Sequence, residues 1–193
     1  VREGVIPLDV GVPLMRQACE GLQYAHELQI VHRDLKPENI FVEPHPDGGL
    51  RAVVMDFGLA KERRAEPGMA KLTATGIILG TPEFMSPEQI RGKVLDGRSD
   101  IYALGLVAFE MFTTKLPFEG KTAQDTMIAR LRGQPIPLRR SRPDLNFTPA
   151  FEKALMKAIE TEPADRYQTP IGLAQALEDA VRGAAGSGVS ISD

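Results

Sequence analysis

The sequence predicts an α+β fold that is mainly helical and carries one small β-hairpin. Two β-prone runs at 40–42 and 52–55 flank the turn-rich stretch 44–49, an arrangement that is typical of a hairpin. An amphipathic helical pattern precedes the hairpin at 12–27, and only helical patterns follow residue 100. The expected order is therefore a helix, a hairpin, a long loop and a series of helices.

The first helix is predicted from an apolar stripe with helical spacing, which consists of Leu14, Ala18, Leu22 and Ala25. Cys19 lies beside this stripe, and we expect it to be a core residue rather than a nucleophile. Because the chain has one cysteine, a disulfide framework and a cysteine-based zinc site are excluded. The β-prone pair Ile30-Val31 follows the helix and predicts a short strand.

The second half of the chain begins with a stretch without periodicity at 58–87, and such long stretches inside a domain are usually functional. Residues 100–113 are apolar on nearly every face, which predicts a buried helix. Further helices are predicted at 122–132, 149–160 and 169–182. The last begins with Thr169-Pro170, an N-cap followed by proline at the first helical position. Small polar residues at 183–193 predict a flexible tail or linker.

The composition indicates one ordinary globular domain. The 193 residues carry a net charge of −3, with 42% hydrophobic and 25% charged residues. This balance gives no basic footprint for nucleic acid, and no apolar stretch is long enough to form a membrane segment. Because the chain begins at Val1 rather than Met, we expect it to be part of a longer polypeptide.

Three short motifs carry the chemistry of the chain. The first is His-Arg-Asp-Leu-Lys-Pro-Glu-Asn at 32–39, and the second is Asp-Phe-Gly at 56–58. The third extends from Gly80 to Glu88 and is followed by Asp100 within the predicted buried helix. In this order and spacing, the set resembles the catalytic loop, metal-binding motif and substrate-binding segment of eukaryotic-type (Hanks-type) serine/threonine protein kinases.

The resemblance covers one of the two lobes of a kinase. It implies a protein-kinase-like C-terminal lobe (C-lobe) at 1–182, with a catalytic loop at 32–39 and an activation segment at 56–88. The Gly-rich loop, strand lysine and helix glutamate of the N-terminal lobe (N-lobe) cannot be placed in this sequence. We therefore expect this chain to need the N-lobe of the same polypeptide as a partner, and to transfer no phosphate alone.

The resemblance assigns catalytic and cofactor-binding roles to five residues. Asp34 is the catalytic base, and Lys36 reaches the transferring phosphate. Asn39 and Asp56 bind the Mg²⁺ ions that bridge the phosphates of ATP, since oxygen atoms suit hard cations. Phe41 lies where the family places an apolar contact beneath the adenine ring. As isolated residues, the polar members of this set would equally suit turns, but turns do not require this spacing.

The resemblance also implies protein substrates with serine or threonine acceptors. Thr81, together with Lys36, marks serine/threonine rather than tyrosine specificity. Glu38 and Glu110 line the peptide groove in family members that prefer basic substrates. For Glu110, the role of an ordinary charge on a helix surface is an equal alternative.

The resemblance also implies that the long loop is regulated by phosphorylation. Thr73 and Thr75 are the candidate phosphorylation sites, and Arg33 and Lys61 are the cations expected to bind the added phosphate. The alternative is that both threonines are ordinary loop residues.

Six residues are assigned to structure rather than catalysis: His32, Phe57, Gly58, Glu88, Asp100 and Arg166. We expect His32 to pack near Phe57, and Glu88 to form a buried ion pair with Arg166. Asp100 is expected to hold the backbone of the catalytic loop, and capping of its own helix is a second role that it could serve.

The leading functional prediction is the catalytic lobe of an ATP- and Mg²⁺-dependent serine/threonine protein kinase. One alternative is a non-catalytic kinase-like module, which usually lacks the base or a metal ligand. Another is a small-molecule phosphotransferase, which would lack the 80–88 segment. The Ser-Pro-Glu-Gln sequence at 86–89, with serine in place of the usual alanine, favours a bacterial member. The resemblance implies a cytoplasmic domain, and in many such kinases a membrane helix follows it.

Overall fold

The computed structural model describes residues 4–57 and 82–186, which form seven helices and one two-stranded sheet. The helices are α1 (Leu8–Glu27), α2 (Pro87–Ile90), α3 (Gly97–Thr113), α4 (Ala123–Arg132), α5 (Leu138–Ser141), α6 (Pro149–Ala158) and α7 (Pro170–Gly186). The strands are β1 (Ile40–Pro44) and β2 (Leu50–Val54), and short 3₁₀ turns occur at Pro37–Asn39, Pro82–Phe84 and Pro163–Asp165. The predicted mainly helical fold with one hairpin is confirmed.

The hairpin docks on α1 through one glutamine. β1 and β2 are antiparallel, with Ile40 opposite Val54 at the open end. The side chain of Gln17 accepts a hydrogen bond from the Ala52 N–H at 2.8 Å and donates to the carbonyl oxygen of Leu50 at 3.2 Å. One side chain therefore uses both ends of its amide to attach β2 to the helix.

The predicted strand at Ile30-Val31 is wrong, because this segment has no ladder partner among the described residues. The Ile30 N–H donates to the carbonyl oxygen of Ala25, which closes the end of α1. The N–H of His32, two residues further on, donates to a side chain rather than to a strand. The Ile30 N–H is therefore used at the end of α1, and the segment pairs with neither of the described strands.

The core is built around α3, which confirms the predicted buried helix. Ile101, Leu104, Phe109 and Phe112 of α3 each have 0% exposed surface. α3 begins at Gly97 rather than at residue 100, because the Asp96 side chain caps it by accepting the Arg98 N–H at 2.9 Å. Helices α1, α6 and α7 contribute most of the other large apolar residues of this core, and Leu35, Leu138 and Phe147 complete it.

Cys19 of α1 lies in the same core, as predicted. Its side chain is 0% exposed, and burial raises the pKa of the thiol to about 12. The thiolate is the nucleophilic form of cysteine, so this residue is chemically inert at neutral pH.

The last helix is longer than predicted. Thr169 caps it by accepting the Gly172 N–H at 3.2 Å, which confirms the predicted start. α7 continues to Gly186, so residues 183–186 belong to the helix and not to the predicted tail. No helix among the described residues is long and apolar enough to cross a membrane.

α3 and α6 pack at van der Waals distance at Gly105. A Cβ atom added there would lie 2.7 Å from Ile159 Cγ2 and 2.9 Å from Ala158 Cβ. By contrast, a Cβ atom added at Gly183 meets no neighbouring atom within 4 Å.

We therefore predict opposite effects for two glycine-to-alanine substitutions in helices. Gly105→Ala should lower the free energy of unfolding by about 1–3 kcal/mol, because the added methyl group overpacks the contact. Gly183→Ala should leave it unchanged or raise it by up to about 1 kcal/mol through helix propensity. Urea unfolding followed by circular dichroism measures both, and an equal effect of the two changes would contradict the close packing of α3 on α6.

Candidate active site

The catalytic loop is attached to α3 through the buried carboxylate of Asp100, which is 1% exposed. The His32 N–H donates to Asp100 Oδ2 at 2.8 Å, and the Arg33 N–H donates to Oδ1 at 2.9 Å. Arg33 has a positive φ of 66°, a conformation that is unfavourable for a residue with a side chain. The two hydrogen bonds stabilise that conformation. Because Asp96 caps α3, the capping role considered for Asp100 is wrong.

His26 is a site residue that the sequence patterns did not reveal. Its Nε2 atom lies 2.8 Å from Asp100 Oδ2, and it belongs to the last turn of α1. One carboxylate thus joins the end of α1, the start of the catalytic loop and the start of α3. Its partner lies 74 residues away in the sequence, so no local pattern marks the contact.

His32 links the catalytic loop to the residues that follow β2. Its ring is buried, with Nε2 2.8 Å from the carbonyl oxygen of Met55 and Nδ1 3.3 Å from the Asp34 nitrogen. These contacts fit a neutral ring that donates from Nε2 and accepts at Nδ1. The ring also packs against Phe57, with 4.9 Å between the centroids. The geometry supports the structural role expected for both residues.

Asp34, Lys36 and Asn39 lie together on the loop and the 3₁₀ turn that follows it. Lys36 Nζ is 3.7 Å from Asp34 Oδ2, and Asn39 Nδ2 donates to the carbonyl oxygen of Asp34 at 2.8 Å. The Asp34 side chain is 41% exposed, while Asn39 is 6% exposed. A carboxylate and an ammonium group therefore face solvent beside a buried amide that fixes the loop.

Asp56 is brought to the same place by the end of β2. The Met55 N–H donates to the carbonyl oxygen of Asn39 at 2.8 Å, so the next residue lies beside the catalytic loop. Asp56 is exposed and has a φ of 57°, a conformation that aspartate tolerates better than most residues.

The donor set at this place is one carboxylate, from Asp56, and one amide oxygen, from Asn39. This fits Mg²⁺, which proteins usually bind through one or two carboxylates together with phosphates and water. Within 4–57 and 82–186, no cluster of three or more His, Cys, Asp or Glu side chains has metal-binding geometry. A site that takes part of its coordination shell from a nucleotide is consistent with that finding.

Phe41 of β1 presents an apolar surface next to these residues. Its side chain is 50% exposed, and Met55 near the end of the sheet is 38% exposed. Large apolar residues with this exposure are available to a flat apolar ligand.

The segment at 82–89, which the resemblance assigns to substrate binding, is joined to the catalytic loop by Gln89, a second residue that the motifs did not single out. Ser86 and Gln89 form a reciprocal capping box at the start of α2. The Gln89 Nε2 atom also donates to the carbonyl oxygen of Arg33 at 2.7 Å. A narrow cleft between the two segments is lined by Arg33, Asp34, Lys36, Phe84, Met85 and Gln89, among others.

Glu88 and Arg166 form a buried ion pair with 4% and 2% exposure. The two terminal nitrogens of Arg166 donate to the Glu88 carboxylate, at 2.7 and 2.8 Å, and the Ser99 hydroxyl donates to it at 2.7 Å. The remaining N–H groups of Arg166 donate to the backbone carbonyls of Glu160, Arg98 and Thr161. All five donors of this arginine are therefore used, as a buried charge requires.

Three acidic residues lie near one another at the substrate side. The pKa of Glu110 is raised by burial and, in addition, by repulsion from Glu83 and Glu38. The two acidic residues predicted for the peptide groove are therefore close enough to interact, and Glu83 is a third that was not predicted. Their combined negative charge would favour cationic groups on a bound chain.

Five of the predicted residues lie outside the described part of the chain: Gly58, Lys61, Thr73, Thr75 and Thr81. The regulatory assignment for Thr73 and Thr75 and the specificity assignment for Thr81 stay predictions.

The chain matches known proteins over nearly its whole length. A model described as protein kinase domain matches residues 1–179. Serine/threonine-protein kinase pkn3 of Myxococcus xanthus is 43% identical over 162 residues, which are 83% of this chain and 30% of that protein. Serine/threonine-protein kinase PknB of Mycolicibacterium smegmatis is 36% identical over 168 residues, which are 86% of this chain and 25% of that protein.

A solved structure shows the same fold. The kinase domain of Mycobacterium tuberculosis PknI superposes with a TM-score of 0.66 at 26% sequence identity. The match covers 93% of this chain and 58% of the PknI chain. The present chain thus spans little more than half of that kinase domain, and 30% or less of the two curated relatives.

The Glu88–Arg166 pair predicts a pH-dependent stability. Burial alone would raise the pKa of Glu88, but hydrogen bonds from Arg166 and Ser99 outweigh it and hold the pKa below its usual value of 4.5. Folding then favours the ionised carboxyl, so the stabilisation is complete above pH 4.5 and is lost as the pH falls below it. Urea unfolding from neutral pH down to about pH 3 should show this decline.

Glu88→Gln should remove that part of the pH dependence and lower the free energy of unfolding at neutral pH by about 3–5 kcal/mol. Glu20→Gln, at the exposed ion pair with Arg16, is the matched control and should cost about 1 kcal/mol or less. Equal losses in the two variants would contradict the structural role of the buried pair.

Proposed function

This chain belongs to the protein kinase family, and from that premise we propose that it is the C-lobe of an enzyme that transfers the γ-phosphate of ATP to serine or threonine hydroxyls of proteins. One observation carries the proposal. Asn39 donates from its side chain to the Asp34 carbonyl oxygen and accepts the N–H of Met55, the residue before Asp56, at its own carbonyl oxygen, so three oxygen-bearing residues are held next to one another.

Asp34 is the proposed catalytic base. Its half-exposed carboxylate can orient the acceptor hydroxyl and take its proton, a role that typically contributes about 10²–10⁴-fold to the rate. Lys36, at 3.7 Å, places a positive charge where negative charge on the transferring phosphate needs stabilisation. Positioning and charge neutralisation of this kind are the main contributions that a protein makes to phosphoryl transfer.

Asn39 and Asp56 are the proposed Mg²⁺ ligands. The hydrogen bond from Asn39 Nδ2 to the Asp34 carbonyl oxygen fixes the orientation of the amide, and the left-handed backbone at Asp56 ends the extended conformation of β2. The chemistry supplied by Mg²⁺ in such sites is neutralisation of charge on the phosphates of ATP.

A protein substrate is favoured over a small molecule by the segment from Pro82 to Gln89. It forms one wall of the cleft and is tied to Arg33, so it can hold an extended chain beside Asp34. The acidic residues Glu38, Glu83 and Glu110 favour basic residues near the acceptor. A non-catalytic binding module is disfavoured, because the base and both metal ligands are present.

The proposal includes a requirement for the N-lobe. A kinase holds the phosphates of ATP with a Gly-rich loop and a strand lysine as well as with the C-lobe. The residues of this chain account for the metal ligands and the base, and we propose that a second lobe supplies the remaining contacts.

The function is tested by Asp34→Asn in a kinase polypeptide that contains this lobe and its N-lobe. We expect kcat to fall about 10²–10⁴-fold, because the amide cannot accept the proton. KM for ATP should change by less than about threefold, since Asp34 is not a nucleotide ligand. Asp179→Asn, at an exposed position of α7, is the control and should leave kcat unchanged. A kcat close to wild type in Asp34→Asn would rule out the proposed base.

A second prediction concerns the 193-residue chain alone. With ATP, Mg²⁺ and a basic serine-containing peptide, it should transfer no phosphate, because the N-lobe contacts to the nucleotide are missing. Incorporation of labelled phosphate that disappears in Asp34→Asn would show that the C-lobe suffices, and would refute the requirement for the second lobe.

A further inference from the structure

Arg130 of α4 is a fully buried arginine, with 0% exposure. Its two terminal nitrogens donate to backbone carbonyls of the substrate segment, one to Met85 at 3.0 Å and the other to Glu83 at 2.6 Å. Its guanidinium group lies over the ring of Phe118, 5.6 Å from the centroid.

The chemistry of this contact is specific to arginine. A buried charge is unfavourable unless its donors are satisfied, and burial lowers the pKa of Arg130. The planar guanidinium group presents two parallel N–H groups, which match the carbonyl oxygens of Glu83 and Met85 on one short stretch of backbone. A methionine or leucine would fill the same space without that electrostatic penalty, so packing alone does not account for an arginine here.

The backbone that Arg130 holds forms part of the proposed reaction cleft. Phe84 and Met85 line it together with Asp34 and Lys36. Directly after Met85, the segment enters the capping box of α2, where Gln89 binds the catalytic loop. The segment is thus held at one end by Gln89 and at the other by Arg130, and a displacement at 83–85 would change the wall of the cleft that faces Asp34.

We infer that Arg130 is a positioning residue for the protein substrate, which fixes the backbone at 83–85 so that the acceptor chain lies in register with Asp34. This inference rests on the proposed kinase function. It differs from a purely structural role in its consequence: loss of the guanidinium group weakens the use of the peptide substrate while the chemistry and the use of ATP persist.

Steady-state kinetics of Arg130→Met in the polypeptide that contains both lobes test the inference. We expect KM for a basic serine-containing peptide to rise about tenfold or more, because charge-assisted hydrogen bonds that hold the segment are lost. KM for ATP and kcat at saturating peptide should change by less than about threefold. Arg132→Met, at an exposed position of the same helix, is the matched control and should leave all three constants unchanged.

Arg130→Lys keeps the positive charge but replaces the two terminal nitrogens of the guanidinium group with one, so KM for the peptide should rise less than in Arg130→Met. If circular dichroism shows that Arg130→Met does not fold, Arg130→Lys decides, and an unchanged KM for the peptide then overturns the inference. An equal rise in KM for ATP and for the peptide also overturns it.

Hydrogen exchange gives a readout that does not depend on activity. Amides at 83–89 should exchange faster in Arg130→Met than in Arg132→Met, and unchanged exchange there would overturn the inference. If the wild-type polypeptide transfers no phosphate, the proposed function fails, whereas the exchange result still reports whether Arg130 holds the segment.

Discussion

The buried carboxylate of Asp100 is the interaction on which the geometry of this lobe depends. It receives two backbone N–H groups of the catalytic loop and the imidazole of His26, and it lies in the first turn of α3, where the helix dipole favours negative charge. A strained backbone at Arg33 is tolerated because this acceptor is rigid. Hydrogen bonds of His32 and Asn39 then connect the catalytic loop to Met55, the residue that follows β2.

A second set of contacts connects the substrate side to the same helix. Ser99, adjacent to Asp100, donates to Glu88, and the bidentate pair of Glu88 with Arg166 joins α2 to the segment before α7. The catalytic loop and the 82–89 segment are therefore attached to two neighbouring residues of one buried helix, Asp100 and Ser99. Under the proposed function, this shared support would fix the position of an acceptor chain relative to Asp34.

Local signals explain which features the sequence could predict. The hairpin follows from two β-prone runs around a turn, and α3 follows from apolar residues on every face. The motif residues could be assigned because their spacing is specific to the kinase family. The strand expected at Ile30-Val31 does not form, because the Ile30 N–H binds the end of α1 and the following His32 N–H binds Asp100. His26, Gln89 and Arg130 have roles that depend on partners distant in sequence, and no local pattern marks such contacts.

The side-chain amide of Gln17 attaches the hairpin to α1 through two hydrogen bonds. The apolar surface around Phe41 is thus attached to α1. At the turn of the hairpin, a Cβ atom added to Gly48 or Gly49 would meet no atom within 4 Å. Extra residues in that turn should therefore leave the pairing of Ile40 with Val54, at the other end of the hairpin, unchanged. A reporter group or affinity tag inserted between the two glycines would be carried at the end of the hairpin that is farthest from Asn39 and Asp56.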